Sequence, residues 1–423
     1  MTAAARRAAS ALAVALALLA LALAVALAAT AVRPARAQAA GGPVVRAPAA
    51  ILVEPATGDV VFQRKAGDER PVASTTKLMT ALLTLERAKL STTLTAIRYR
   101  AAPAESVIGL RAGERLTVAD LMRGLLLASA NDAAATLAVR VGGTRARFVR
   151  LMNSRARALG LRDTHYSNPI GLDQPGNHSS AEDLVKLTLI LRRNGFFRAV
   201  TNLPSATLET GSRPRTILNR NVLVRNVPVV NGVKTGHTST AGYVLVGSAT
   251  RNGVTVVSAV LGDPSEGARD ADSLALLRYG LSRYHRVNAT TKGRTYATAK
   301  LAHRDERVDL VATRTIRRTT RRGDRFTTRI LGAPRELDGP LPAGARVGTI
   351  EVRWRGKAID RVALVTARAV AGATVAERAG GLIGRTLIVL AAAAVALGSL
   401  QVVLLRRRLQ RRRRGRAGGT EIA

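Results

Sequence analysis

The chain has no cysteine, few aromatic residues and few lysines. Without cysteine no disulfide can form, so stability must come from hydrophobic cores, and 423 residues are enough for two of them. Aromatic residues make up 3% of the chain, and they are not interleaved with basic residues as in nucleic-acid-binding surfaces. The five histidines lack a metal-ligand spacing such as H-E-x-x-H. We therefore expect no metal, no cofactor and no nucleic-acid partner.

Lysine is scarce although the chain is strongly basic. Of the 66 basic residues 58 are arginine and eight are lysine, and the net charge is +38. Arginine cannot lose its proton inside a protein, whereas a desolvated lysine can. Of the two basic residue types, only lysine can therefore act as a general base, and Lys77 is the candidate. Lys234 is expected to be a compact cation that faces a substrate carboxylate.

Three short strings occur in a fixed order: Ser74-Thr75-Thr76-Lys77, Ser129-Ala130-Asn131 and Lys234-Thr235-Gly236. A serine hydroxyl is a weak nucleophile at neutral pH and needs a base within hydrogen-bond reach. Residues i and i+3 share one helix face, so a helix over 75–89 would bring the Lys77 amine to the Ser74 hydroxyl. Ser74 would then lie at the helix N-terminus, where free N–H groups favour developing negative charge. Each string alone is weak, but the ordered set indicates serine acyl transfer.

Both ends of the chain carry long apolar segments. Residues 1–37 resemble an export signal, with two arginines, an apolar stretch and an A-x-A site at 35–37, although an uncleaved anchor is the alternative. Residues 386–405 are long enough to span a bilayer, and the tail 406–423 follows them with a cluster of arginines. Because positive residues beside a span stay in the cytoplasm, we expect a single-pass cell-membrane protein with its catalytic body outside the cytoplasm.

The region between the two apolar segments divides into a mixed part and a β-rich part. A linker at 38–48 leads into an α+β domain at 49–286, in which an antiparallel sheet is interrupted by a helical insertion. Ala181–Leu191 is a predicted helix, and Asn252-Gly253 marks a hairpin turn. Alternating apolar and polar residues over 290–370 predict a small all-β domain that spaces the first domain from the membrane.

The remaining basic charge has an ordinary interpretation. Eight of the positive charges lie at 406–416, and a local arginine run occupies 314–325. We expect that run to be a solvated face, or to meet anionic lipid or wall polymer.

With these strings the chain resembles the low-molecular-mass penicillin-binding proteins of the serine D-alanyl-D-alanine carboxypeptidase family over roughly residues 45–370. The strings that match beyond the three motifs are Thr57-Gly58, Pro71 to Thr80, Ser129 to Ala133, Ser167 to Leu172, Gly232 to Thr238 and Ala241-Gly242. The resemblance implies a β-lactamase/transpeptidase-like fold for the first domain. It also implies removal of the terminal D-alanine from peptidoglycan stem peptides through an acyl-enzyme, with β-lactams as inhibitors.

The resemblance also assigns site residues. The implied catalytic residues are Ser74 as nucleophile, Lys77 as its base and Ser129 as proton relay. The implied substrate-binding residues are Asn131, Lys234, Thr235, Gly236 and His237, with the backbone N–H groups of Ser74 and His237 as the oxyanion hole. Asn131 would hold the peptide, and Lys234 with Thr235 would bind the terminal carboxylate.

Three alternatives remain open. A β-lactamase needs a carboxylate that activates the deacylating water, and the string Ser167 to Leu172 has no glutamate. A D,D-endopeptidase uses the same chemistry and is poorly separated by sequence. A non-catalytic membrane-tethered sensor or scaffold is disfavoured by the complete motif set and by a tail too short for an output domain.

Overall fold

The computed structural model describes residues 42–416, with the side chains of 380–385 and 410–416 excepted. These residues form two compact units. The first contains the chain up to Glu54, Asp59–Ala249 and Val256–Gly280, and the second contains Pro55–Gly58, Thr250–Thr255 and the chain from Leu281 onward. The predicted signal peptide 1–37 lies outside the described residues.

Five of the nine strands of the first unit form one sheet. The strands are β1 (Ala49–Glu54), β2 (Asp59–Arg64), β3 (Thr93–Thr95), β4 (Arg115–Thr117), β5 (Ser205–Leu208), β6 (Arg215–Leu218), β7 (Val230–Thr238), β8 (Gly242–Arg251) and β9 (Val254–Asp263). The sheet has the order β2-β1-β9-β8-β7, and β1–β2, β1–β9 and β7–β8 are antiparallel pairs. Strand β7, which carries the third motif, therefore lies at one edge of the sheet.

Helices follow between β2 and β7, as the predicted insertion requires. They are α1 (Lys77–Arg87), α2 (Val118–Leu126), α3 (Asn131–Gly142), α4 (Arg145–Ala158), α5 (Ala181–Leu191), α6 (Gly195–Thr201) and α7 (Val222–Asn226), and α8 (Glu266–Arg283) follows the sheet. Polar side chains cap five of them by accepting a backbone N–H two or three residues on: Thr117, Thr144, Ser180, Asn194 and Asn221. The predicted α+β architecture is confirmed.

Local signals explain several of the element ends. Asn252 and Gly253 have φ values of 52° and 76°, the two left-handed positions that a tight hairpin between β8 and β9 requires. The predicted helix at 75–89 begins instead with a 3-10 turn (Ala73–Thr76), and its α-helical part starts at Lys77. Ala73 has φ 45°, so the chain enters this turn from a left-handed residue that regular helix geometry excludes.

The second unit is β-rich, as predicted. Its strands are β10 (Tyr284–Thr290), β11 (Thr295–Leu301), β12 (Arg307–Ala312), β13 (Ile316–Arg321), β14 (Phe326–Leu331), β15 (Glu336–Leu337), β16 (Arg346–Trp354) and β17 (Lys357–Thr366). They form a pair, β10–β13, and a six-stranded sheet in the order β14-β16-β17-β12-β11-β15. Alternate residues such as Val308, Leu310 and Ala312 enter the core, which gives the period of two seen in the sequence.

Two boundaries differ from the sequence predictions. The predicted domain end at 286 falls inside β10, because the compact second unit already begins at Leu281. The apolar segment predicted at 386–405 belongs to a longer helix, α9 (Val375–Arg416), because the alanine, glutamate and arginine residues that flank it also favour helix. Within α9, Thr386–Leu409 is long and apolar enough to cross a membrane, and none of that segment is buried.

The end of the predicted linker packs on the first unit. Val45 and Ala47 are buried, and the backbone N–H groups of Arg46 and Ala47 donate to Asp272 Oδ2 at 2.5 and 2.7 Å. Asp272 in turn neighbours Asp263, which is fully buried and whose carboxylate receives no N–H or hydroxyl donor within the described residues. Burial, followed by the charge and hydrogen bonding of Asp272, raises the pKa of Asp263 to about 7. Asp263 therefore keeps its proton to a higher pH than an ordinary aspartate.

This pair predicts a pH-dependent stability. Folded Asp263 keeps its proton up to about pH 7, whereas in the unfolded chain it loses the proton near its ordinary value of 3.8. Between those values the folded state binds more protons, so stability falls as the pH rises. Asp263→Asn supplies a permanent N–H donor to Asp272. Between pH 5 and pH 8 the unfolding temperature of the wild type should fall, and that of Asp263→Asn should fall less, by at least about 3 °C.

The control is Asp305→Asn, which changes an exposed aspartate paired with Lys300. Circular dichroism at both pH values measures the unfolding temperatures. Identical pH dependence in the wild type and Asp263→Asn would refute the raised pKa of Asp263.

Candidate active site

The first motif brings a serine hydroxyl and a buried amine together. Lys77 is completely buried, and its Nζ lies 2.8 Å from Ser74 Oγ and 2.6 Å from the carbonyl oxygen of Ile170. The 3-10 turn places the two side chains on the same side, so the predicted contact between positions i and i+3 is present. Ser74 is partly exposed, and it lines a cavity of about 430 Å³.

Lys77 has the properties of a base at neutral pH. Burial lowers its pKa from 10.5 to about 7. The carboxylate of Glu105 acts against this shift and the cation of Arg220 adds to it, while Asp132 raises the pKa. A substantial fraction of the amine is therefore neutral near pH 7, and it points at the hydroxyl of Ser74.

Two glycines allow the chain to close around Ser74. A β-carbon on Gly171, which has φ +86°, would lie 2.0 Å from the carbonyl oxygen of Ala73. A β-carbon on Gly236 would lie 3.0 Å from the backbone nitrogen of Ser74. The last residue of the third motif is thus glycine because β7 passes directly beside the N-terminus of the catalytic turn.

The second and third motifs also meet. Lys234 is 1% exposed, and its Nζ donates to Ser129 Oγ at 2.9 Å and to the carbonyl oxygen of Thr235 at 2.8 Å. Ser129 has φ 59°, a left-handed conformation that turns the chain between α2 and α3. Burial, with the nearby cations Lys77, Arg220 and Arg269, lowers the pKa of Lys234 well below its ordinary value.

Asn131 begins α3 and has a partner that sequence reasoning missed. Its Nδ2 donates to Glu105 Oε2 at 2.7 Å, whereas its buried Oδ1 has no hydrogen-bond partner within residues 42–416. Glu105 lies in the loop between β3 and β4, which carries no recognisable motif. No spacing in the sequence connects it with Asn131, because the contact depends on how that loop folds.

The cavity has a basic and aromatic wall. Thr235 and His237 of β7 line it together with Tyr243, whose ring stacks on that of His237 with 4.0 Å between centroids. Arg220 and Arg269 also line it, and sequence reasoning did not identify either. Among 58 arginines their sequence positions alone carry no distinguishing signal. Five of the predicted site residues line this cavity: Ser74, Ser129, Thr235, Gly236 and His237. Lys77 and Lys234 reach two of these through their hydrogen bonds with Ser74 and Ser129.

The string Ser167 to Leu172 is a structural loop in this arrangement. Asn168 Oδ1 accepts from the N–H of Gly171 at 2.6 Å, and the hydroxyl of Thr80 donates to the carbonyl oxygen of Pro169 at 2.6 Å. These bonds hold the Ile170 carbonyl against Lys77. Asp173, the residue after this string, accepts from the hydroxyl of Thr238 at 2.7 Å.

The contact at Gly171 predicts a specific loss of reactivity. In Gly171→Ala the new methyl group meets the Ala73 carbonyl and displaces the turn that holds Ser74. A shift of about 1 Å should slow acylation by a labelled penicillin about a hundredfold. The acylation rate is measured by quenching the labelling reaction at successive times and quantifying the labelled protein on gels.

Gly160→Ala is the matched control, since Gly160 has φ +69° and open space around its Cα. Both variants carry the left-handed strain of about 1 to 2 kcal/mol, but only Gly171→Ala creates the clash. Equal acylation rates in the two variants would rule out the proposed role of the close contact.

The comparisons with known proteins agree with this geometry. The profile of the D-alanyl-D-alanine carboxypeptidase family matches residues 36–265. The chain is 34% identical to D-alanyl-D-alanine carboxypeptidase DacA of Escherichia coli K12 over 346 residues, 77% of this chain and 84% of the relative. It is 28% identical to DacF of Bacillus subtilis over 326 residues, 74% and 83% of the two chains.

A solved structure shows the same likeness in three dimensions. Penicillin binding protein 5 from Haemophilus influenzae superposes with a TM-score of 0.57 at 28% identity, covering 78% of this chain and 99% of that one. The fold is thus the transpeptidase/β-lactamase-like fold with a second β domain. Since the family match covers more than half of the sequence and the three motifs converge on one cavity, the chain belongs to the serine D-alanyl-D-alanine carboxypeptidase family.

Proposed function

We propose that this chain is a cell-wall D,D-carboxypeptidase in which Ser74 is the nucleophile and Lys77 is its base. The 2.8 Å contact between Lys77 Nζ and Ser74 Oγ carries the proposal. An amine that is neutral near pH 7 can take the hydroxyl proton, and the Ile170 carbonyl oxygen holds it in place.

Acylation follows from this pair. As the hydroxyl proton moves to Lys77 Nζ, Ser74 Oγ bonds to the carbonyl carbon between the two terminal D-alanines. The negative charge on the carbonyl oxygen is stabilised by the backbone N–H groups of Ser74 and His237. Such donors contribute roughly 3 kcal/mol each to transition-state stabilisation. The close approach of β7 to the Ser74 nitrogen, which Gly236 allows, supports this oxyanion hole.

The leaving group is handled by the other two motifs. Ser129 relays a proton to the departing D-alanine nitrogen. Lys234 Nζ, which donates a hydrogen bond to Ser129 Oγ, can replace that proton. The terminal carboxylate binds at Lys234 and Thr235, and Arg220 and Arg269 add positive charge to the same cavity. Asn131 holds the peptide. Water then hydrolyses the acyl-enzyme, and β-lactams, which mimic the D-Ala-D-Ala end, acylate Ser74.

The competing enzymatic functions have less support. The loop Ser167 to Leu172 contains no carboxylate. The side chain of Asn168 is hydrogen-bonded to the backbone of its own loop. A β-lactamase that uses a glutamate in this segment is therefore disfavoured. A D,D-endopeptidase uses the same nucleophile and base, and a cross-linked substrate distinguishes it.

We further propose that α9 anchors the catalytic unit to the outer face of the cell membrane. Thr386–Leu409 contains 24 residues, about 36 Å of helix, which exceeds the roughly 30 Å of a bilayer core. Most of its side chains up to Leu405 are exposed apolar groups, and the arginines that begin at Arg406 lie at its C-terminal end. Positive charge at this end favours a cytoplasmic tail, and the predicted signal 1–37 would export the body.

Ser74→Ala tests the nucleophile. The detergent-solubilised full chain is incubated with diacyl-Lys-D-Ala-D-Ala and, separately, with a labelled penicillin. The wild type should release D-alanine and become labelled, while Ser74→Ala should do neither because no acyl-enzyme can form. Persistence of both in the variant would show that another residue is the nucleophile.

Lys77→Arg and the pH dependence of acylation test whether Lys77 is the base. The arginine keeps the charge but cannot accept a proton, so acylation should fall by roughly a hundredfold or more. In the wild type the acylation rate should rise with pH through about 7, because only the neutral amine is active. At pH 6 it should be about tenfold below its plateau.

The absence of cysteine makes the topology directly testable. Single cysteines are introduced as Lys292→Cys in the β-rich unit and Ala417→Cys in the tail. In cells stripped of their wall, a membrane-impermeant maleimide should label the first variant at once and the second only after permeabilisation. Labelling of Ala417→Cys in intact cells would refute the cytoplasmic tail.

A further inference from the structure

A second cavity, of about 690 Å³, adjoins the one beside Ser74. It is lined by Val107, Ile108, Ala128, residues 213–220 and Arg225. Arg220 and Arg225 line both cavities. Two further segments contribute neighbouring residues to each: residue 106 lines the catalytic cavity and 107 the second, and the same holds for 129 and 128. The two cavities therefore share a boundary within the first unit.

The β5–β6 hairpin forms one wall of the second cavity and is held in place at both ends. Near its turn, Arg215 Nη2 pairs with Glu114 Oε1 at 2.7 Å. Just after β6, the backbone N–H of Arg220 donates to the carbonyl oxygen of Leu127 at 3.0 Å, and its Nε donates to that of Ala128 at 3.1 Å. This wall is thus fixed to the turn between α2 and α3, which carries Ser129.

The second cavity has an excess of positive charge. Of its four arginines, Arg215 is neutralised by Glu114. Arg213, Arg220 and Arg225 form no ion pair within residues 42–416. Three guanidinium groups without a carboxylate partner around one cavity favour an anionic occupant.

Apolar side chains line the same cavity. Leu218 is 58% exposed and Val107 is 41% exposed, and Ile108 and Pro214 lie beside the same space. Large apolar side chains that are exposed together around a concave surface are typical of a binding groove. The lining as a whole matches an aliphatic chain that ends in an anion.

The position of the second cavity relates it to the leaving group. In the proposed function Ser129 protonates the departing nitrogen, and Lys234 with Thr235 binds the carboxylate of the departing residue. The second cavity begins at Ala128, next to Ser129, and at Arg220, so it lies on the side of the departing residue. The methyl group of D-alanine is too small to use this space.

We propose that the second cavity is a subsite for the side chain of the departing D-amino acid, and that it favours a long aliphatic side chain ending in a carboxylate over an uncharged one. The inference rests on the proposed function, because it uses Ser129 as the proton donor to the departing nitrogen. Arg213 and Leu218 are then specificity-determining residues, since both line the second cavity and neither lines the catalytic one.

Three peptides test the subsite: diacyl-Lys-D-Ala-X, where X is D-alanine, D-norleucine or D-2-aminoadipate. The last two share a chain of three methylene groups and differ in its end, a methyl group or a carboxylate. The wild-type full chain in detergent should release all three residues, with kcat/KM about fivefold higher for D-2-aminoadipate than for D-norleucine. This preference should fall below about twofold in about 0.5 M salt, because salt screens the exposed arginines.

Two variants separate the charge of the subsite from its space. Arg213→Glu should reduce the preference for D-2-aminoadipate to about one, while release of D-alanine stays within about twofold of the wild type. Leu218→Trp places a bulky ring in the cavity, so kcat/KM for both long residues should fall about tenfold relative to D-alanine. The matched controls are Arg145→Glu and Leu203→Trp, which change exposed residues that line neither cavity.

The outcomes distinguish the subsite from the proposed function. Release of D-alanine without release of either long residue would overturn the subsite alone. Equal wild-type rates for D-norleucine and D-2-aminoadipate would also overturn it, as would a preference that Arg213→Glu leaves unchanged. If no peptide releases its terminal residue, the proposed function fails and the subsite fails with it. The salt dependence of the wild type decides the matter even if a variant does not fold.

Discussion

The active site depends on burying two lysines beside two serines. An ammonium group loses its hydration when it is buried, and unless an anion compensates, the amine gives up its proton. Lys77 and Lys234 are both almost fully enclosed, and each donates to one serine hydroxyl and one backbone carbonyl. Arginine, which supplies nearly all the positive charge elsewhere, cannot respond in this way.

This burial is achieved by main chain more than by side chains. The 3-10 turn at Ser74 meets the loop at Gly171 at a distance that excludes a β-carbon there, and it meets strand β7 at Gly236 at a distance that would crowd one. Backbone carbonyls are thereby brought to the amines, and no carboxylate among residues 42–416 is hydrogen-bonded to either amine. The carboxylates that influence Lys77, those of Glu105 and Asp132, act across space and moderate its shift without abolishing it.

Much of the fold and part of the site follow from local sequence signals. The hairpin at Asn252-Gly253 and the cap at Ser180 are short-range effects, and both were predictable. The contact between Ser74 and Lys77 spans three residues, so helical geometry alone predicts it. The meeting of Ser129 with Lys234 joins residues 105 positions apart, and only the resemblance to a family implied it.

What the sequence did not reveal has a common physical origin. Glu105, Arg220 and Arg269 belong to no motif, and their residue types are ordinary on a surface. Glu105 and Arg220 lie in loops, and the course of the first loop is decided by tertiary hydrogen bonds between Asp132 and the backbone at Ile108 and Leu110. Arg269 reaches the cavity from α8. The 3-10 start of α1 is likewise imposed by neighbouring segments, since nothing in residues 73–76 forbids an α-helical turn.

The environment of Lys234 implies that binding and protonation are linked. Burial and the surrounding cations lower the pKa of Lys234 well below its ordinary value. A carboxylate that enters beside it supplies the missing counter-charge and favours the ammonium form. An anion that binds at this position would therefore raise the pKa of Lys234 again. Lys234 is thus a group whose pKa responds to the charge of whatever binds beside it.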